Sequence, residues 1–284
     1  MNEYRVLSVA VDTSILLKGL FHFFRFKSFA LKYAVSQNDH WTDCITICYP
    51  LEVCPRNKAY EIITEFLSLW SFQMDEPVIP SNCIAAGTPF STESSALNAN
   101  IITQIGVRVP KTTSCDTIFY LPKIETEVQN KTIRLYRHAR SCIDVYSQTL
   151  FFWHTLVYPS KDDKDASCYI QKFINDKIDG YGYVYEDIER LLKDKNGAFS
   201  ETLCENNFGK YIRDYVRHAI AHIVRYGDRS IELDNINQES HMEMISRILR
   251  YIARYKIQKE HRLSLGKSHS QDYFMILKHP ILNV

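Results

Sequence analysis

The sequence predicts an α+β protein, with a mixed α/β N-terminal half that contains antiparallel strands and an all-α helical bundle in the C-terminal half. Two observations support this prediction. Short runs of β-branched and aromatic residues, typical of strands, dominate the first 125 residues. From about residue 128 onward, apolar residues recur with helical spacing instead. The predicted domains are therefore residues 1–127, whose role is open, and residues 128–284.

Four strands and one helix are predicted in the N-terminal half. The helix is Lys58–Trp70, in which apolar residues, among them Ile62, Phe66 and Leu69, fall on one face. The segment Gly87–Asn100 is rich in Ser, Thr and Asn and is predicted to be a loop. The predicted strands are Tyr4–Val11, Asp43–Tyr49, Pro77–Ala86 and Thr117–Leu121.

Six helices are predicted in the C-terminal half. Gly227 is a helix stop signal, and the polar residues from Asn235 to Glu239 mark the start of the last helix. Arg229–Leu233 is either a short strand or an extended linker. The predicted helices are Lys131–Gln148, Thr149–Tyr158, Ala166–Asp176, Tyr185–Lys195, Asn206–Tyr226 and Ser240–His261.

Composition is that of a soluble globular protein, with 45% hydrophobic and 24% charged residues in a chain of 284. The longest apolar stretch, Thr149–Tyr158, is about half the length needed to span a bilayer, and no signal peptide is apparent. We therefore expect a cytoplasmic protein without a membrane partner. The eight cysteines include no CxxC pair, which favours reduced cysteines that pack as small hydrophobes.

The net charge of +1 argues against a chain that is basic overall. It separates, however, into −2 for residues 1–125 and +3 for the remainder. Lys131, Arg134 and Arg137 recur every three residues, and residues 247–284 hold eight basic residues, including Arg250 and Arg254, against two acidic ones. Tyrosines for base stacking lie nearby. Any RNA contact is therefore expected in the helical half, unless these charges are only a solvated surface.

The predicted helix Asn206–Tyr226 contains the residues of greatest chemical interest. Its apolar residues follow the i, i+3, i+4, i+7 spacing of a core-facing stripe. At about 100° per residue, His218 and His222 lie on one flank of this stripe together with Arg225, whereas Arg213 and Arg217 lie on the opposite flank.

The string from Arg217 to His222, RHAIAH, resembles the R-x4–6-H motif of HEPN domains, in which Asn is usual where this chain has His218. The order of helical segments over residues 128–262 is similar to the MauJ-like and Apea-like members of that group. The resemblance implies a small all-α bundle that cleaves RNA without metal, often as a toxin or defence effector. It also implies an active site formed between two copies of the motif helix.

This chemistry suits the residue types. Histidine has an unperturbed pKa of about 6.5 and can transfer protons to and from RNA oxygens. Arginine stays charged and can stabilise the phosphorane formed when the ribose 2′-OH attacks phosphorus. The candidate catalytic residues are therefore Arg217 as the phosphate clamp, His222 as the acid/base and His218 as an auxiliary. Arg217 and His222 are about 140° apart on a straight helix, so the hypothesis requires a homodimer.

The predicted function is thus a metal-independent endoribonuclease that binds RNA and needs no metal or cofactor. The RNA-binding candidates are Arg213, Arg225, Lys131, Arg134, Arg137, Arg250 and Arg254. Four alternatives stay open. In the first, His218 and His222 only flank the apolar stripe of a core helix. In the second they bind a metal, although HAIAH lacks the Glu of HExxH. In the third the protein is a non-catalytic HEPN-like module that binds RNA or a regulatory protein, and in the fourth it is an accessory protein of a methylamine-utilisation type operon.

Overall fold

The computed structural model describes residues 3–50, 52, 54–87, 89–99, 103, 105–107, 109–115, 121–221, 231, 235–263, 265 and 274–276. The chain forms two compact units, one of residues 1–125 with 263–284 and one of residues 126–262. The predicted second domain continued to residue 284. The C-terminal segment instead belongs to the first unit, because Phe274–Ile276 pairs as a strand with Phe24–Phe26.

The first unit is built on a six-stranded sheet in the order β6-β1-β5-β4-β3-β8, with every neighbouring pair antiparallel. This confirms the antiparallel strands predicted over residues 4–11, 43–49 and 77–86 of the N-terminal half. A second, two-stranded sheet pairs β2 with β7 in parallel. The strands are β1 (Tyr4–Thr13), β2 (Ile15–Leu17), β3 (Phe21–Phe26), β4 (Phe29–Ala34), β5 (Asp43–Pro50), β6 (Val78–Ala86), β7 (Thr113–Cys115) and β8 (Phe274–Ile276).

Helix α1 (Arg56–Met74) packs its aromatic side chains on this sheet. The Phe66 ring stacks on that of Phe24 with centroids 4.8 Å apart, and Trp70 meets Tyr33 edge to face at 5.2 Å. Offset and edge-to-face pairs of this kind add to the free energy gained by burial alone. The helix predicted over residues 58–70 is therefore confirmed and is longer at both ends.

The segment predicted as a loop, residues 87–100, contains a short helix, α2 (Glu93–Asn98). Thr92 and Ser95 form a capping box in which each side chain accepts a hydrogen bond from the other residue's backbone N–H. Ala96 and Leu97 are buried against the sheet. The loop prediction was wrong because the same Ser and Thr residues that favour loops also cap helices. The predicted strand at 117–121 lies outside the described residues, apart from Leu121, which is not in a strand.

The second unit is helical throughout its described residues. Its predicted first helix, residues 131–148, is in fact two helices, because the Asp144 side chain accepts a hydrogen bond from Ser147 N at 2.7 Å and starts a new helix there. The helices are α3 (Glu127–Ser141), α4 (Val145–Val157), α5 (Asp163–Asp176), α6 (Gly182–Lys193), α7 (Phe208–Tyr211), α8 (His218–Ala221) and α9 (Ile236–Lys259).

A 3₁₀ turn at Glu205–Asn207 precedes α7, and a π-helical segment, Ile212–Arg217, joins α7 to α8. We call the continuous run from Phe208 to Ala221 the motif helix. The helix predicted over residues 206–226 is confirmed within this run, whereas residues 222–226, the stop at Gly227 and most of 229–233 lie outside the described residues. The predicted start of the last helix is confirmed by Asn235, whose side chain accepts from the N–H groups of Asn237 and Gln238.

The core between the motif helix and α9 contains a buried histidine, His241, which is 1% exposed. Its Nε2 lies 3.0 Å from the Tyr211 hydroxyl, which accepts a hydrogen bond from Phe199 N at 3.0 Å. The hydroxyl hydrogen is therefore free to point at His241, which favours the neutral imidazole. Burial lowers the pKa of His241 to about 4.

We expect the helical unit to lose stability as the pH falls from about 6.5 to about 4. In this window the unfolded chain protonates His241 and the folded chain does not, so acid favours unfolding by up to about 3 kcal/mol. Urea unfolding across this pH range measures the effect. His241→Gln keeps polar atoms beside Tyr211 but does not titrate, and should flatten the dependence; equal slopes in both proteins would contradict the explanation. Burial and the charge of Lys256 lower the pKa of His261 to about 4. His261 therefore adds the same pH dependence of stability to the wild-type protein and to the His241→Gln variant.

Among the described residues, no helix has the length and apolar character required to cross a bilayer.

Candidate functional site

The motif helix lies against α5 at a point where only glycine fits. A Cβ atom added to Gly209 would come within 2.1 Å of the Ser167 carbonyl oxygen, so any side chain there would push the two helices apart. The Gly209 N–H donates to Gln171 Oε1 at 3.2 Å. This close contact brings the start of α5 beside the π-helical segment, where two arginines of the predicted site lie.

Arg217 is bound to the first residue of α5. Its Nη2 lies 3.1 Å from Asp163 Oδ2, and the two side chains are 25% and 33% exposed. The other oxygen of Asp163 accepts a hydrogen bond from the Trp153 indole at 2.9 Å. A carboxylate is stabilised at the first turn of a helix by the helix dipole. Asp163 therefore holds the Arg217 guanidinium in a fixed position at the edge of the helical unit.

Arg213 is paired with its sequence neighbour. Its Nε and Nη2 donate to the two Asp214 oxygens at 2.5 and 3.0 Å. This bidentate hydrogen bond lowers the pKa of Asp214, and it raises that of Arg213, to which the nearby charge of Asp163 also contributes. Arg213 and Arg217 thus lie on the same side of the motif helix, as predicted. In this structure Arg213 serves first to neutralise a carboxylate.

The charge of Arg217 acts on an imidazole that the sequence did not single out, His154 of α4. The packed surroundings of His154 and the charge of Arg217 lower the pKa of this histidine, and Asp163 opposes the shift. His154 is nevertheless exposed to solvent. Arg217 and Asp163 are therefore an ion pair whose two charges both act on the His154 imidazole, and the lowered pKa favours the neutral form of that imidazole at pH 7.

Of the two predicted histidines of the motif, His218 and His222, only His218 lies among the described residues. His218 is exposed and begins α8, where its charge contributes to lowering the pKa of Asp214. His222 and Arg225 lie outside the described residues. The described residues that follow Arg217, His218–Ala221, are α-helical.

His154 belongs to a stack of three rings on the surface of α3 and α4. The His138 ring stacks on Phe151 with centroids 5.7 Å apart, and Phe151 meets His154 edge to face at 6.4 Å. Both imidazoles are exposed. Partial burial and the charges of Arg137 and Arg134 lower the pKa of His138, so this imidazole is also neutral at pH 7. Two exposed imidazoles and the aromatic ring between them thus lie beside cationic groups.

The basic row on α3 does not form one exposed face. Residues three apart on a helix are displaced by about 60° around its axis, so the row formed by Lys131, Arg134, Arg137 and Arg140 winds from one side of the helix to the other. Lys131 is exposed and paired with Glu127 at 2.7 Å, and Arg134 Nε donates to Asn130 at 2.9 Å. Arg137 is only 5% exposed, and the prediction that it contacts RNA conflicts with this burial.

Arg250 and Arg254 lie on α9, beside tyrosines of α6. The Arg250 guanidinium stands 4.5 Å from the centre of the Tyr251 ring and donates to the Tyr251 hydroxyl at 2.8 Å. Burial raises the pKa of Tyr183 and Tyr181, and the charge of Arg254 opposes both shifts. Within the described residues, no three His, Cys, Asp or Glu side chains are grouped as they would be to hold a metal ion.

No protein-family model, curated protein or solved structure matches this chain. The similarity of RHAIAH to the HEPN motif is therefore a hypothesis drawn from the residues themselves. The chemistry of the site therefore depends on the side chains that surround Arg217. One feature of the sequence could have pointed to His154. Phe151 and His154 are spaced i, i+3 and therefore share a helix face.

Proposed function

We propose that the protein is a metal-independent endoribonuclease and that its helical unit cleaves RNA by attack of the ribose 2′-OH on the adjacent phosphate. The observation that supports this proposal best is the Arg217–Asp163 ion pair, whose charges act on His154, the residue next to the Trp153 indole that binds Asp163. A cation for the phosphate and an imidazole that is neutral at pH 7 are two of the groups that this reaction needs.

Arg217 is assigned to the phosphate. Its ion pair with Asp163 engages Nη2, and a guanidinium has five N–H donors in all, so it can bind a phosphate oxygen while Asp163 keeps it in place. As the phosphorane forms, negative charge accumulates on its equatorial oxygens. A preoriented guanidinium stabilises that charge more than it stabilises the ground-state phosphate.

His154 is assigned to the base. Its lowered pKa means that the unprotonated imidazole predominates at pH 7, ready to accept the 2′-OH proton. The O2′–P bond then forms and the P–O5′ bond breaks, leaving a 2′,3′-cyclic phosphate. The departing 5′ oxygen takes a proton from a second, protonated histidine. His222 remains the candidate for that acid. We expect the His222 of a second copy of the chain to approach Arg217.

The proposal is tested by incubating the purified protein with single-stranded RNA in EDTA. We expect cleavage by the wild-type chain and a loss of about 100-fold or more in His154→Ala and His222→Ala, since general acid–base groups contribute factors of about 10²–10⁴. His40→Ala, an exposed histidine of the first unit, is the matched control and should cleave as the wild type does. Equal cleavage by His154→Ala and His40→Ala would remove His154 from the mechanism.

A second candidate function is a non-catalytic HEPN-like module that binds RNA. It is favoured by the pairing of both Arg213 and Arg217 with carboxylates, which is what arginines in a purely structural role do. RNA that binds with a steep salt dependence and stays intact would support this second candidate. A role as a toxin or defence effector would follow only from cleavage.

A further inference from the structure

The surface where α6 meets α9 has a composition unlike that of the rest of the helical unit. Residues 244–259 of α9 contain five basic residues and no acidic one. Tyrosines of both helices lie among these charges. We call the set Tyr183, Arg250, Tyr251 and Arg254 the tyrosine–arginine strip.

The rings of the strip are in contact and reachable from solvent. Tyr183 is 43% exposed, and its ring lies 4.5 Å from that of Tyr251 at 65°, centroid to centroid. Arg250 stands over the other part of the Tyr251 ring at 4.5 Å. The Tyr183 ring thus packs against the Tyr251 ring, which fixes its orientation. The exposed part of the Tyr183 ring stays open to a ligand.

The strip continues into a cleft. Tyr181 lies 6.0 Å from Tyr183 and 5.4 Å from Tyr255, measured between ring centroids. Tyr255 forms one wall of a cleft of about 140 Å³, which is lined by two basic residues, Lys172 and Lys259, and by two acidic residues, Asp176 and Glu260. Aromatic rings therefore continue from Tyr183 to this cleft, whose basic and acidic residues offset one another, and the cationic groups of the strip are Arg250 and Arg254.

The buried carboxylate of α6, Asp187, is already paired with a residue of α9. Arg247, one turn before Arg250, is bound bidentately to Asp187, with Nε–Oδ2 and Nη2–Oδ1 distances of 2.6 and 2.8 Å. Asp187 is buried and its charge is offset by Arg247, so it repels an anion approaching the strip only weakly. A ligand here would meet an exposed tyrosine ring flanked by Arg250 and Arg254.

We infer that the tyrosine–arginine strip binds single-stranded RNA, with a base stacked on Tyr183 and the backbone phosphates beside Arg250 and Arg254. Stacking on tyrosine needs an unpaired base, whereas a duplex would present only its phosphates. The inference adds a substrate form to the proposed function. Its test uses an oligonucleotide that cannot be cleaved, so binding and cleavage can fail independently.

The experiment is fluorescence anisotropy with a short, labelled, single-stranded 2′-O-methyl oligonucleotide and the full chain. Tyr183→Leu removes the ring and should weaken binding about tenfold, since stacking is lost. Tyr183→Phe keeps the ring and should bind as the wild type does. Arg250→Gln and Arg254→Gln should each reduce the slope of log K against log salt by about 0.7. Lys193→Gln removes a charge from the exposed end of α6 and is the control for charge.

Three results would overturn the inference. One is a Tyr183→Leu variant that binds as tightly as the wild type. Another is a matched duplex that binds as tightly as the single strand. The third is that none of the oligonucleotides binds, which would point to a protein partner instead. If the strip behaves as expected while RNA stays uncut, the inference stands and the proposed ribonuclease function fails.

Discussion

Replacement of Arg217 by alanine is expected to lower the rate of RNA cleavage by about 100-fold or more. Removing one preoriented donor from a transition-state oxyanion typically costs factors of about 10²–10³. The loss should fall on kcat, because the guanidinium is assigned to the charge that develops on the phosphorane. Single-turnover cleavage of a labelled RNA by Arg217→Ala and by the wild-type chain measures it.

The variant series distinguishes catalysis from folding. The Arg217–Asp163 pair is partly exposed, so its loss should change the free energy of unfolding by only about 1 kcal/mol or less. Arg217→Lys keeps the charge but not the forked geometry and should recover part of the rate. Arg190→Ala, an exposed arginine on α6, is the control. Wild-type cleavage by a folded Arg217→Ala protein would contradict the assignment.

Replacement of Lys111 by methionine should destabilise the first unit by about 3–5 kcal/mol, the largest effect on stability that we expect. Lys111 Nζ lies 2.7 Å from Asp43 Oδ1, and the two side chains are 6% and 0% exposed. Asp43 also accepts hydrogen bonds from the Tyr33 hydroxyl at 2.9 Å and from Ser36 N at 2.8 Å. Without the lysine, a buried carboxylate keeps two neutral donors and no counter-charge.

Urea unfolding with separate probes for the two units measures this effect. Lys58→Met is the matched control, because Lys58 is 60% exposed and pairs with Glu61 on the surface, so its loss should cost less than about 1 kcal/mol. The double variant Lys111→Met/Asp43→Asn removes both charges and should recover part of the lost stability. Equal stability of the Lys111 and Lys58 variants would show that the buried pair contributes nothing.

The helices and strands that could be predicted from the sequence are those whose hydrophobic pattern lies within one continuous segment of the chain. Helices α1 and α5 show apolar residues at helical spacing, so local periodicity identifies them. Strands β3 and β4 were missed because buried residues adjoin one another in both, which hides the alternation of a half-exposed strand. Strand β8 depends on pairing with β3, about 250 residues earlier in the chain, and three residues contain no signal for that.

The candidate site was predictable in part for the same reason. Arg217 follows from the RHAIAH string, but Asp163 and His154 lie 54 and 63 residues before it. Asp163 meets Arg217 where Gly209 lets α7 approach α5 closely. The π-helical segment at Ile212–Arg217 also has no sequence signature, although such segments occur often at functional sites.

The most direct test of the ribonuclease proposal uses two matched oligonucleotides, one of RNA and one with a single 2′-O-methyl group at the cleaved position. The purified chain, in EDTA, is expected to cleave the RNA and to leave a 2′,3′-cyclic phosphate. The methylated strand should remain intact because it has no 2′-OH to attack phosphorus. Cleavage of both strands, or of neither, would contradict the proposal.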